Sequence, residues 1–315
     1  MNSLSIPSYN TTLRDVIVWA EELFKNSDLY FGHGTDNALD EAAYLVSYCA
    51  QKPVDFNDND LMHVLTISQR EKVAEVIEQR ITNKVPAAYI TGTAYFFGLA
   101  FEVNENVLIP RSPIAELIGE QFFPWFDYAG WLSTNKNGRL NILDMCTGSG
   151  CIGIACAVAF ENANVDAVDI SEQALKVAKS NVNKHHVAER VKVIQSDMFL
   201  GLPQKKYDII VSNPPYVTRV EIDGLPAEYH KEPDMGLYAA NNGLQFAIII
   251  LQQAFYYLAD NGIVVIEVGN SAQALQTLFP KVPFTWLEFE MGGDGVFALD
   301  AAQIRQYHAQ FMNVT

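Results

Sequence analysis

Cysteine clusters, long apolar runs and an excess of basic charge are all missing from this sequence. Only four cysteines occur, Cys49, Cys146, Cys151 and Cys156. None forms a C-x-x-C pair, and no histidines join them at zinc spacing, so neither a metal site nor a disulfide framework is expected. Three of them fall in one short apolar segment, where small buried thiols are the plain reading. No uncharged apolar stretch reaches the roughly 18 residues that a membrane helix needs. The longest, such as 246–251, are far too short. Residues 1–10 carry no basic segment followed by an apolar core, so no membrane partner is expected and the cytoplasm is the default compartment. Basic residues are scarce, with 21 Lys and Arg against 37 Asp and Glu and a formal net charge of -16. Duplex nucleic acid is a dense line of negative charge whose binders carry a basic face, so direct nucleic-acid binding is not expected. The same acidity favours encounter with a basic protein partner. What is present is apolar material, 49% of 315 residues, without low-complexity runs. That is enough for one large domain and a smaller one.

Residues 1–86 read as the smaller, helical domain. Leu13, Val16, Ile17, Ala20, Leu23 and Phe24 recur at helical spacing. Further helices are expected at about 40–49 and 68–81, the latter opened by a capping box of Ser68 and Glu71. Over 87–110 aromatic and β-branched residues dominate, among them Tyr89, Ile90, Tyr95, Phe96, Phe97, Phe101, Val103 and Val107. With Gly92, Gly98 and the Asn104, Glu105, Asn106 run supplying turns, this predicts a β-hairpin linker. A helix is expected at about 113–123, with Pro113 in its first turn, and a polar loop at 133–138. From Leu140 onward, strands at about 140–146, 164–170, 191–197, 207–213 and 262–268 alternate with helices at about 151–160, 172–184, 243–259 and 271–279. Such alternation predicts an α/β domain over 111–315, with a parallel sheet covered on both faces. Strands at 285–290 and 296–300, joined by the glycine-rich 291–295 stretch, predict a C-terminal antiparallel hairpin.

Gly148, Gly150 and Gly153 fit G-x-G-x-x-G between the first of these strands and its helix. Glycines there let the backbone turn tightly and approach a ligand. Asp169 ends the next strand, where a carboxylate can hold two ribose hydroxyls. Both nicotinamide dinucleotides and S-adenosylmethionine suit this arrangement, and Asp144 tilts the choice. A carboxylate beside the loop favours the cationic amino-acid end of S-adenosylmethionine over an anionic pyrophosphate. After the third strand, Asp197 can accept from an adenine amino group and Met198 can cover the ring; a helix or turn cap is the other reading of Asp197.

The fourth strand ends in Asn213, Pro214, Pro215 and Tyr216, at the end of the sheet where ligands of open α/β folds bind. A nitrogen conjugated to a carbonyl or an aromatic ring is a poor nucleophile. The Asn213 side-chain oxygen and the Pro214 backbone oxygen can accept its two N–H protons, while proline offers no backbone donor. The Tyr216 ring can stack on the flat group. The alternative is an ordinary strand-ending turn, which Asn-Pro commonly starts.

With these residues the sequence resembles the class I methyltransferases, a Rossmann-like mixed-sheet fold, and more closely the protein-glutamine methyltransferase family. The resemblance covers nearly the whole chain, including the helical front domain and hairpin linker. It implies S-adenosylmethionine as cofactor. The loop of Cys146, Thr147, Gly148, Ser149 and Gly150 would cradle the methionine part, with Asp144 nearby. Asp169 and Ile170 would face the ribose, and Asp197 and Met198 the adenine. Asn213, Pro214, Pro215 and Tyr216 would bind the glutamine amide, with Asn213 also reaching the cofactor. Relatives often carry tryptophan where Met198 stands, which puts stacking there in doubt. The stretches 31–37, 40–42, 108–114 and 292–297 resemble the branch whose target is a glutamine of large-subunit ribosomal protein uL3, with 1–86 as its substrate-recognition domain. The release-factor branch usually carries an acidic run after the arginine that corresponds to Arg111, absent here.

Other readings stay open at this stage. A release-factor enzyme would share the chemistry. An adenine-amino DNA methyltransferase can share the tetrapeptide but would be expected to be basic. A nicotinamide dehydrogenase would leave Asn213 to Tyr216 unexplained, and a non-catalytic ribosome-assembly binder would keep the fold alone. His33, Asp36 and Asn37 are either target contacts or a structured turn. Arg111 is a substrate or interdomain contact. Glu232, Pro233, Asn241, Asn242 and Gly243 either shape a loop over the substrate or merely connect elements.

Overall fold

The computed structural model describes Ile6 and residues 11–53, 57–136, 138–290 and 292–314. The rest of the 1–10 segment, Asn137 of the expected polar loop and Met291 of the glycine-rich link lie outside the described residues. Two compact units emerge. One comprises Met1–Ala94, Val103–Glu105 and Pro226–Glu232; the other comprises Tyr95–Glu102, Asn106–Leu225 and Pro233–Thr315.

The first unit is helical, with α1 (Leu13–Lys25), α2 (Ala38–Ala50), α3 (Asp58–Leu61), α4 (Ile67–Asn83) and α5 (Ala87–Thr91). Each long helix starts at a side chain that satisfies an orphan backbone donor. Thr12 and Asp15 form a capping box on α1, and Asn37 accepts from the Asp40 amide at 2.9 Å to cap α2. The α4 box is Thr66 with Gln69, not Ser68 with Glu71, because Ile67 is already helical. Leu13, Val16, Ile17, Leu45, Val73 and Ile77 form the apolar interior. A charged side chain crosses it. Arg80, 1% exposed, donates from Nε to Glu41 at 2.6 Å, from Nη1 to Glu228 at 2.8 Å and from Nη2 to the Tyr30 carbonyl at 2.8 Å. Glu228 thereby ties Pro226–Glu232 into this unit's interior. His33 is buried against the Tyr229 ring at 4.5 Å, with Nε2 3.5 Å from Glu232. His33 and Asn37 thus serve a structured turn.

A two-stranded hairpin of β1 (Thr93–Phe96) and β2 (Leu99–Glu102) follows. Phe97 and Gly98, both left-handed at φ 54° and 69°, make its two-residue turn. The hairpin is shorter than the sequence predicts. Tyr89 and Ile90 sit in α5, where Pro86 starts a turn of helix instead of a strand.

The second unit holds α6 (Ile114–Gly119), α7 (Tyr128–Thr134), β3 (Leu140–Met145), α8 (Cys151–Ala159), β4 (Ala163–Asp169), α9 (Glu172–Lys184), β5 (Val191–Gln195), β6 (Tyr207–Ser212), α10 (Arg219–Gly224), α11 (Asp234–Leu237), α12 (Gln245–Tyr257), β7 (Leu258–Glu267), α13 (Ala272–Leu278), β8 (Thr285–Trp286), β9 (Val296–Asp300) and α14 (Ala301–Met312). The strand order is β5-β4-β3-β6-β7-β9-β8. Pairs from β5 through β7 are parallel, and β9 runs antiparallel to both β7 and β8. Alternate residues face opposite layers. Ile142, Val165, Ile209 and Val265 pack with Ile154 of α8, while Leu143, Val168, Ile210 and Val264 pack with Leu251 of α12 and Phe311 of α14. The strand order reverses beside β3, and the crevice at such a switch point is where open α/β sheets bind ligands.

Three expectations are corrected in this unit. The α6 helix stops at Gly119 because Gln121 and Phe122 turn left-handed, which buries Phe122 against Phe160 at 6.1 Å. Ser133 and Thr134 belong to α7, capped by Asp127, rather than to a loop. The β8 strand has two residues instead of six. Beyond Leu287, the Glu290 amide turns to the Glu116 carboxylate at 2.9 Å, and Gly292, Gly293 and Gly295 all take positive φ. No helix among the described residues is long and apolar enough to cross a membrane.

Candidate active site

The β3–α8 loop is built from left-handed residues. Cys146, Gly148 and Gly150 have φ of 61°, 55° and 83°. A Cβ on Gly150 would stand 3.3 Å from Ala178 on α9, so this glycine also lets two helices approach. The Gly148 amide donates to Asp169 Oδ2 at 2.9 Å, and the Ser171 amide donates to its Oδ1 at 2.9 Å. Burial pushes the Asp169 carboxyl above its ordinary range, and these backbone donors pull against it. From behind, Asn181 on α9 donates to the Ser149 carbonyl at 2.9 Å and to the Glu102 carbonyl at 3.0 Å. Nothing in the sequence marked Asn181, a polar residue on the buried face of an otherwise ordinary amphipathic helix.

Asp144 occupies a different place from the one expected. It is 0% exposed and lies beneath the loop, accepting from Thr147 Oγ1 and from the Gly153 amide at 2.8 Å. Among the described residues its Oδ1 has no hydrogen-bond partner, and burial pushes its carboxyl up to about 7. It does not line the cavity. A donor from the loop, Thr147, and one from the first turn of α8, Gly153, hold it inward, so it shapes the loop.

That cavity encloses about 470 Å³ at the carboxyl ends of β3, β4 and β6. Cys146, Thr147, Gly148, Ser149, Asp169, Ile170, Asp197, Met198, Asn213 and Pro215 all line it; Gly150, Pro214 and Tyr216 are not among its lining residues. Met198 turns its backbone left-handed at φ 48° and is nearly buried. The exposed Asp197 carboxylate caps no helix. Asn213 follows β6 directly, half-buried, while Ser212 Oγ fastens that strand end to the Met145 carbonyl at 2.6 Å.

Tyr216 is the most constrained member of the tetrapeptide. Its hydroxyl donates to Glu267 Oε1 at 2.8 Å, and its carbonyl accepts from Ser271 Oγ at 3.2 Å. Ser112 Oγ donates to the other oxygen of Glu267 at 2.5 Å. A Cβ on Gly243 would lie 2.1 Å from the Tyr216 carbonyl oxygen, and one on Gly269 would lie 2.5 Å from its ring. Asn241, Asn242 and Gly243 therefore form a left-handed turn that seats Tyr216. Glu267 is 5% exposed; burial pushes its carboxyl up, against the two hydroxyls and the nearby Arg111. Glu267, Ser112, Gly269 and Ser271 escaped the sequence reading. The available signal was a lone carboxylate closing the apolar run of Ile263, Val264, Val265 and Ile266 at the binding end of a strand.

The cavity's size suits a small organic ligand. Asp169 and Asp197 supply acceptors, and Arg111 is the one cationic side chain among the described lining residues. This fits a cationic ligand with sugar hydroxyls better than one with a pyrophosphate. Fold and site together define a class I S-adenosylmethionine-dependent methyltransferase.

The methyltransferase small domain family matches residues 131–225. The chain is 42% identical over 300 residues to the ribosomal protein uL3 glutamine methyltransferase of Francisella tularensis subsp. tularensis, covering 95% of this chain and 93% of that one. It is 42% identical over 301 residues to the enzyme of the same description from Xanthomonas campestris pv. campestris, covering 95% and 94%. The chain therefore belongs to the ribosomal protein uL3 glutamine methyltransferase family. Among solved structures, a methyltransferase from Pyrococcus furiosus is 20% identical and covers 65% of this chain and 90% of its own, with a TM-score of 0.45.

Proposed function

We propose that this chain transfers a methyl group from S-adenosylmethionine to the side-chain amide nitrogen of a glutamine in ribosomal protein uL3. The observation that carries the reading is Asn213 on the wall of the same cavity as Asp169 and the loop from Cys146 to Ser149. When bound, S-adenosylmethionine supplies an electrophilic methyl group on its sulfonium. The Asp169 carboxylate holds the ribose beside Ile170, Asp197 and Met198 meet the adenine, and the loop from Cys146 to Gly150 cradles the methionine part. The Asn213 side-chain oxygen and the Pro214 carbonyl accept the two amide N–H protons, which directs the nitrogen lone pair into the cavity. Pro214 and Pro215 bring no competing backbone donor. The Tyr216 ring covers the flat face of the amide. Positioning is the main lever, and good alignment supplies roughly 7–11 kcal/mol in favourable systems.

The helical unit recognises the protein substrate in this reading. The net charge of -16 favours capture of a basic protein, so rising salt should slow association. The same charge disfavours direct nucleic-acid binding, and the cytoplasm is the expected compartment. The deciding experiment is methyl transfer from labelled S-adenosylmethionine to purified, unmethylated uL3 and, separately, to a peptide-chain release factor, with the modified residue mapped by mass spectrometry. Label on a glutamine of uL3 alone is expected. Label on the release factor alone would keep the chemistry and overturn the target; label on neither would overturn both.

A further inference from the structure

Glu267 lies at the carboxyl end of β7 and is not among the residues lining the cavity. It receives two hydroxyl donors from separate parts of the chain. Tyr216 belongs to the tetrapeptide after β6, and Ser112 to the cavity-lining stretch that includes Pro110 and Arg111. A buried carboxylate is costly unless its oxygens are satisfied, and here each oxygen has one hydroxyl. The fit around the ring is equally specific. Gly269, two residues after Glu267, leaves no room for a side chain between the backbone and the Tyr216 ring. Gly269 is itself pressed by Gly295, whose carbonyl accepts from the Val268 amide at 2.7 Å. A tyrosine needed only as an apolar plate would not require a buried acceptor for its hydroxyl, which phenylalanine lacks. We infer that Glu267 is a positioning residue for methyl transfer: by accepting from Tyr216 and Ser112 it fixes the aromatic face that meets the target amide and joins it to the 110–112 wall of the cavity. Glu267 touches neither substrate; it acts through Tyr216.

The inference rests on the proposed amide chemistry, so its test has one arm with turnover and one without. Tyr216→Phe, Glu267→Gln and the double variant are compared with wild type on uL3. Each single change is expected to lower kcat roughly tenfold, the scale of one lost hydrogen bond to a charged group. The affinity for S-adenosylmethionine, measured by calorimetry, should stay near that of wild type. The double variant is expected to be no slower than the slower single one, because Glu267→Gln weakens and Tyr216→Phe removes the same bond. Glu267→Ala, which offers no polar group at all, should be slower than Glu267→Gln. A merely structural role would instead lower the thermal midpoint and leave kcat intact. Wild-type kcat in Glu267→Gln, or losses that multiply in the double variant, would overturn the inference. The second arm follows the Tyr216 ring signals by NMR in protein labelled with 13C-tyrosine. They should shift or broaden in Glu267→Gln. If wild type itself transfers no methyl to glutamine, the proposed function fails, and this arm alone decides: unchanged Tyr216 signals overturn the positioning role.

Discussion

Gly269→Ala tests the ring seat with the smallest possible perturbation. The added methyl would stand 2.5 Å from Cε2 of Tyr216 and 2.9 Å from its Cζ. Carbon atoms meet comfortably at about 3.5 Å, so the ring must retreat by roughly 1 Å. It cannot do so and keep its 2.8 Å bond to Glu267. Alanine also inherits the left-handed backbone of Gly269, at φ 46°, which costs about 1–2 kcal/mol for a residue with a Cβ. A misplacement of about 1 Å can cost on the order of 100-fold in rate when catalysis rests on alignment. The expected outcome is therefore a loss of about 100-fold in kcat on uL3. Stability should fall by no more than about 2.5–5 kcal/mol, the backbone cost plus the lost bond to a charged group. Steady-state kinetics and urea unfolding measure the two effects on the same preparation. Gly269→Ala with wild-type kcat would refute the reasoning, since it would mean that Tyr216 can move without consequence.

Asn213→Ala should fold and bind S-adenosylmethionine normally while losing at least roughly 100-fold in kcat; near-normal turnover removes Asn213 from the mechanism. Asp144→Asn should alter the pH dependence of stability in the cofactor-free protein. An ordinary Asp titrates near 3.8, and burial pushes Asp144 up to about 7, so between these values the folded state holds a proton that the unfolded chain has released. Stability contributed at this site therefore falls as pH rises from about 4 to about 7. Urea midpoints at pH 5 and pH 7.5 should converge in the variant relative to wild type, and an unchanged difference would contradict the assignment. Arg80→Met leaves Glu41 and Glu228 buried without their cation and should destabilise the helical unit by about 3–5 kcal/mol. Equal unfolding curves for variant and wild type would show that the triad contributes nothing.

The parallel core was legible because each strand carries a complete local signal. An apolar run of about six residues, a glycine or Asx turn and then an amphipathic helix fixed β3 through α9 to within one or two residues. The cavity walls were legible for the same reason: Gly148, Asp169, Asp197 and Asn213 all lie at or just beyond strand ends, where chain order predicts spatial convergence. What escaped depended on partners distant in sequence. Glu267 meets Ser112 across 155 residues, and Asn181 meets Glu102 across 79; neither pairing leaves a mark on local periodicity. Asp144 was placed by its position before the loop, but Thr147 in the loop and Gly153 at the start of α8 draw it beneath the surface. The β8 strand looked longer because Leu287 and Phe289 keep an alternating pattern, although the backbone at Glu290 bonds to a side chain rather than to a neighbouring strand.

The short detour of Pro226–Glu232 bears on how such an enzyme can be altered or evolve. The chain leaves the sheet-bearing unit after α10, gives seven residues to the helical unit, with Glu228 and Glu232 buried, and returns at Pro233, which lines the cavity. Arg80 is neutralised partly by Glu41 from its own unit's leading segment and partly by Glu228 from the detour. The helical unit is therefore not a detachable cassette. Exchanging residues 1–94 for another recognition module would leave Glu228 and Tyr229 without the surroundings they were shaped for, and the incoming module would need a rewritten heptapeptide more than 130 residues downstream. In the proposed reading, where the helical unit recognises the target, a change of target protein proceeds by substitutions on the existing unit or by paired changes in both segments, because a single crossover does not carry the whole unit.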